Sequence, residues 1–169
     1  MNDYDGFDHN AQTLRILTSL EERYPLFNGL NLTWETLEGV VKHNGPLLNP
    51  HIVIKEYNKI HDLELNTYPG LEAQIASLSD DIAYNNHDID DGFRAGFITI
   101  DDLKNIELFS EIIKEINSEF KSIDNYMIVK ELIRRLVGLM VNDLIKNTKK
   151  NISKVNPKNA EEIRSHNGL

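Results

Sequence analysis

Apolar residues recur at intervals of three and four through most of the chain, and the every-second-residue alternation of a half-buried strand is nearly absent. In "HNAQTLRILTSLEERY", Ala11, Leu14, Leu17 and Leu20 fall three apart, which predicts an amphipathic helix that Pro25 ends. A second helix is predicted in "NGLNLTWETLEGVVKHNGP": Thr33 is placed to cap it, Leu32 and Leu37 to staple it, and Gly45 and Pro46 to stop it. Between Leu48 and Tyr68 only a short helix is expected, around Ile54 to His61. Another helix begins after Thr99, with Ile98 and Leu103 as a staple pair and Asp102 in the first turn, and is expected to reach Phe120. The longest apolar run, "YMIVKELIRRLVGLMVNDLIKN", predicts a core helix of about twenty residues interrupted only by Gly138. Residues up to Phe7 read as a loose lead-in. The predicted class is all-α.

One helix has two unlike faces. In "LEAQIASLSDDIAYNNHDIDDG", Leu71, Ile75, Leu78, Ile82 and Ile89 share a narrow arc at ~100° per residue and are the expected core side. Asp80, Tyr84 and Asp88 follow at i, i+4 and i+8 and form a second stripe. A solvated face usually mixes lysine with glutamate, yet no basic residue occurs between Leu71 and Arg94. Spacing alone leaves two readings open, a solvated acidic face and a cation or ligand site.

Composition narrows the chemistry. The chain has 169 residues, 40% hydrophobic and 27% charged, the balance of a globular domain with a real core. It has no cysteine, so thiolate metal sites and a cysteine nucleophile are excluded; a metal would rest on histidine and carboxylate. A formal charge of −9 argues against a nucleic-acid partner, which needs its phosphates neutralised, but leaves small phosphorylated ligands open. No stretch is long and apolar enough to span a bilayer, and the acidic start "MNDYDGFDHN" has no signal-peptide character, so no membrane partner and a cytoplasmic location are expected.

Three segments in order, "FDHNAQTLRIL", "GLNLTWETLEGVVKHNG" and "LEAQIASLSDDIAYNNHDIDDG", resemble the dGTPase-like deoxynucleoside triphosphate triphosphohydrolases of the HD metallohydrolase superfamily. Weaker similarity continues through "ELIRRLVGLMVNDLI", so the resemblance runs from about Gly6 to Ile145. It implies an HD-like helical domain that hydrolyses a dNTP, dGTP among them, to the deoxynucleoside and tripolyphosphate, with a divalent metal such as Mg or Mn. By the same resemblance, the first aspartate of "DDIAY", Asp80, is a metal ligand. Tyr84 contacts the sugar and Asp88 binds its 3′-hydroxyl. Asn10 of the "NAQ" word lies near the phosphates with His9 assisting, and Lys42 is a phosphate ligand.

The family's remaining metal ligands, a histidine and a His-Asp pair, lie upstream of "NAQ", together with the catalytic histidine and glutamate, and they have no counterpart here. His61-Asp62 falls in the wrong place to replace them. The expectation is therefore a domain incomplete at both ends relative to the family: residues 1–148 a partial HD-type helical region, residues 149–169 a truncated polar tail. The metal is expected only in a completed site, with a companion chain supplying the missing segment and a homo-oligomer as the natural assembly. The alternative is an inactive remnant, or a nucleotide-binding or helical interaction module. Arg134 and Arg135 are read as ion-paired rather than phosphate-facing.

Overall fold

A computed structural model describes residues 6–166 and residue 168, and every described element is helical apart from an isolated bridge between Tyr24 and Phe27. Most of the expected lead-in, residues 1–5, lies outside the described residues. The chain divides into two compact units, residues 1–77 with 151–169, and residues 78–150.

The first unit holds α1 (His9–Arg15), which passes into a π-helical turn (Ile16–Leu20), then α2 (Trp34–Val41) and α3 (Ile52–Asn58). It also holds the start of α4 (Leu71–Arg94), the end of α7 (Asn125–Val155), and α8 (Ala160–Ser165). Asp8 caps α1 by accepting the Ala11 amide at 2.7 Å. Ala11, Leu14, Leu37, Val41, Ile54, Leu63 and Leu65 make one buried cluster, with Leu17, Leu32 and Trp34 packed against it. Thr33 accepts the Thr36 amide as the expected cap, and both staple leucines lie in or against that cluster.

The loop before α2 folds back onto the π turn. The Leu30 amide donates to the Leu17 carbonyl at 2.8 Å and the Gly29 amide to that of Glu21 at 2.9 Å. Gly29 needs its missing side chain: its φ is +72°, and a Cβ there would stand 2.5 Å from the carbonyl carbon of Thr18. α2 stops at Val41, before Gly45, because Lys42 already serves as its C-cap.

Residues 149–169, expected as a polar tail, contain the last turns of α7 and all of α8. Asn159 caps α8 by accepting the Glu162 amide, and the Tyr68 amide donates to the Arg164 carbonyl at 3.0 Å.

The second unit is built from the rest of α4 and α7 with α5 (Ile100–Lys104) and α6 (Glu107–Glu119). Ile100, Leu103, Ile112, Ile113, Ile116, Ile128, Val129, Leu132 and Leu136 are its core. Thr99 and Asp102 form the capping box that starts α5. The single helix expected from Thr99 to Phe120 is two helices. Continued unbroken, the stripe of Ile100 and Leu103 would carry Glu107 and Glu111 into the core; restarting at Glu107 turns Ile112, Ile113 and Ile116 inward instead.

α4 and α7 also depart from expectation. α7 has 31 residues rather than about twenty, since the lysine-rich segment after Ile145 sustains the helix. On α4 the expected core stripe is only partly used. Ile89 packs on the second core, Leu78 is 44% exposed, and the one buried residue of the helix is Asn86.

Candidate functional site

Asp80, Tyr84 and Asp88 stand one turn apart on α4 within the second unit, and all three are exposed, Tyr84 to 67%. The helix thus presents a carboxylate, a phenol and a second carboxylate in line.

One further carboxylate of α4, Asp90, is compensated, contrary to what its local sequence suggests. Lys130, forty residues on, grips both oxygens of Asp90 at 3.0 and 2.9 Å, and Arg94 reaches the same carboxylate at 3.1 Å. The Lys130 hydrogen bond, with help from the charge of Arg94, holds the Asp90 carboxyl below its usual range. This pair lines a cleft of about 390 Å³ between α4 and α7, together with the apolar Ile82, Ile133, Val137 and Val141. His87 and Asn86 also line it. The Asn86 amide donates to the Ile82 carbonyl at 2.7 Å and lies 3.5 Å from the Met140 sulfur, while its buried Oδ1 has no partner among the described residues. Sequence reasoning passed over Asn86 because asparagine on a polar helix carries no sign of burial.

His9, Asn10 and Lys42 belong to the first unit. His9 opens α1, is exposed, and meets the Phe7 ring edge-on at 4.8 Å. Asn10 donates to the Val41 carbonyl across a long 3.4 Å bond, which brings it beside the backbone of Lys42. The Lys42 ammonium is fully buried. It lies 2.6 Å from Glu38 Oε1 and within 2.9 to 3.2 Å of the Thr67 hydroxyl and the carbonyls of Glu64 and Tyr68.

Glu38 is held in turn by Arg164 through a two-pronged contact at 2.8 and 3.0 Å, and the guanidinium lies 4.8 Å from the centre of the Trp34 ring. Neither Glu38 nor Arg164 was singled out from sequence. Their separation by 126 residues hides the pairing.

Arg134 and Arg135 are ion-paired as expected. Arg134 binds Glu131, and Arg135 joins Glu131 and Glu119. The hydrogen bonds from Arg134 and then Arg135 pull the Glu131 carboxyl down to about 2.

Among the described residues no three histidine, aspartate or glutamate side chains come together to hold a metal ion. Asp80 is therefore a lone candidate ligand, and the residues present do not by themselves fit a divalent ion, which takes several protein donors in a defined geometry.

No family model matches the chain. Among curated proteins, it is 48% identical over 172 residues to a deoxyguanosinetriphosphate triphosphohydrolase-like protein of Parvibaculum lavamentivorans. It is 51% identical over 169 residues to one of Bradyrhizobium sp., and 49% identical over 170 residues to one of Bartonella henselae. These alignments take in 98%, 99% and 96% of this chain. The chain belongs to the dGTPase-like family. It spans 42 to 44% of the length of these relatives. No described helix is long and apolar enough to cross a membrane.

Proposed function

We propose that this dGTPase-like chain supplies the nucleotide-facing part of a deoxynucleoside triphosphate triphosphohydrolase, acting on dGTP or a related dNTP. In the reaction, water attacks the α-phosphorus and the bond to the 5′-oxygen breaks, leaving the deoxynucleoside and tripolyphosphate. The observation that carries this reading is the exposed line of Asp80, Tyr84 and Asp88 on one helix of a chain about half identical to relatives named for that chemistry. A carboxylate at Asp88 suits a sugar hydroxyl as acceptor, and the Tyr84 ring suits the face of a sugar that lacks a second hydroxyl. Asp80 would be one ligand of a divalent ion such as Mg or Mn, which in a completed site would supply charge neutralisation at the phosphates.

Asn10 and His9 would face the phosphate side. Lys42 would join them only by exchanging protein acceptors for phosphate oxygens, since its ammonium is already surrounded by four oxygens. One carboxylate does not complete a metal site, so the remaining donors would come from the part of the relatives' length that these residues do not span.

The test is reconstitution. The purified chain is incubated with each dNTP and Mg²⁺ or Mn²⁺, alone and with a polypeptide covering the part of the relatives that this chain does not span. Deoxynucleoside and tripolyphosphate are followed. Turnover is expected only in the mixture, abolished by Asp80→Ala and weakened mainly through KM by Asp88→Asn. Turnover by the chain alone, or turnover indifferent to Asp80→Ala, would sink the proposal.

A further inference from the structure

A second cleft lies in the first unit, on residues that the reading above does not use. It has a volume of about 460 Å³, and Phe27, Trp34, Tyr57 and His61 give it four aromatic rings. Asn28 and Asn31 stand at the same cleft, and neither side-chain amide makes a hydrogen bond to another described residue. The π turn contributes Leu17 and Thr18. Such turns are uncommon and tend to be kept at functional positions.

The cleft is held rigid rather than loosely formed. The Trp34 indole N–H donates to the Asp62 carbonyl at 2.7 Å and its ring is covered by Arg164, so its orientation is fixed. Tyr57 leans on His61 with ring centres 5.4 Å apart. The loop carrying Asn28 and Asn31 is anchored by Gly29 against the Thr18 backbone. Burial pushes the Tyr57 hydroxyl up from its usual value, and as a neutral phenol it can both donate and accept.

Aromatic faces offer stacking surface to a planar ligand. Uncommitted amides, each both donor and acceptor, suit the edge of a ring that itself alternates donors and acceptors. No lysine or arginine lines the cleft, so no permanent cation there neutralises a phosphate. From this we infer that the cleft is a binding site for an uncharged heteroaromatic ligand, a nucleobase or nucleoside rather than a nucleotide. For an enzyme that releases deoxynucleosides, the ligand class would include its own product. The inference itself rests only on the cleft and holds whether or not the acidic stripe of α4 is a substrate site.

The test uses the chain's sole tryptophan, Trp34, which lines the cleft and reports on it directly. The full chain, without metal, is titrated with deoxyguanosine and deoxyadenosine, and in parallel with dGTP and with deoxyribose. Saturable change in Trp34 fluorescence is expected with the nucleosides below about 1 mM, with weaker binding of dGTP and none of deoxyribose.

Asn31 has a φ of 51°, which glycine adopts freely, so Asn31→Gly removes the amide without straining the loop. It should weaken nucleoside binding about tenfold, with Asn28→Ala as an independent check. No saturable response to either nucleoside would overturn the inference. So would undiminished binding by both variants, or dGTP binding more tightly than deoxyguanosine. Because no turnover is measured, failure here leaves the reconstitution experiment untouched.

Discussion

Replacing Lys42 by methionine tests how the first unit is held together. The lysine ammonium sits 2.6 Å from Glu38, and Glu38 in turn holds Arg164, so one buried carboxylate ties α2 to both the loop at residues 64–68 and α8. Methionine keeps most of the volume and removes the charge and all three donors. Glu38 then keeps only Arg164, and the Glu64 and Tyr68 carbonyls and the Thr67 hydroxyl lose a donor. Breaking a buried pair by deleting one partner costs about 3–5 kcal/mol. That is a large share of the roughly 5–15 kcal/mol that stabilises a domain. With a urea dependence of roughly 1–3 kcal/mol per molar, even the lower figure moves the unfolding midpoint down by about 1–3 M. Trp34 belongs to the same unit, so its fluorescence follows that transition. Replacing Glu38 as well should deepen the loss rather than recover it, because the buried Arg164 guanidinium is then left without its carboxylate. A cost below about 1 kcal/mol for Lys42→Met would refute the reasoning. It would also mean that the ammonium is weakly held and easily lent to a phosphate.

Three further outcomes follow from the geometry. Gly29→Ala should cost about 3 kcal/mol, from a left-handed backbone and a Cβ 2.5 Å from the Thr18 carbonyl carbon. Gly45→Ala, with φ +97° but no atom within 4 Å, should cost only about 1 kcal/mol, and equal costs in urea unfolding would show that space is not the constraint. Glu131 is lowered from 4.5 to about 2, so its stabilising contribution is present above pH 4.5 and lost as pH falls through about 2. Glu131→Gln should remove that part of the acid limb, and an unchanged limb would contradict the assignment. Asn86→Leu replaces a buried amide whose oxygen is unpaired, so circular dichroism during unfolding should show the second unit unchanged or about 1 kcal/mol more stable. A loss above about 2 kcal/mol would mean that Oδ1 has a partner.

What was legible in the sequence is local. The caps at Thr33 and Thr99 are set by residues three apart, and the staple at Leu32 and Leu37 by residues five apart, so the structure reproduces them. The break between α5 and α6 was legible in principle, since Glu107 and Glu111 interrupt the apolar stripe; treating Thr99 to Phe120 as one periodic run concealed it. What was not legible depends on residues far apart. Nothing near Asp90 announces Lys130, so α4 reads as uncompensated, although a lysine from α7 neutralises part of it. Polar residues 149–169 read as a tail because the partner of Arg164 lies in α2.

The same distinction bears on the candidate site. The resemblance picks out residues by type and order, and on α4 type and order are nearly sufficient, because an i, i+4, i+8 stripe on a continuous helix must share a face. Asp80, Tyr84 and Asp88 are all exposed on that face. For Lys42 type and order are not sufficient. A lysine can serve a phosphate only if its ammonium is not already bound, and here Glu38, Thr67 and two carbonyls surround it. Lending that charge to a substrate would disturb the contact between α2 and α8. Phosphate binding at Lys42 would then be felt at Arg164, and through it at the Trp34 ring that borders the aromatic cleft.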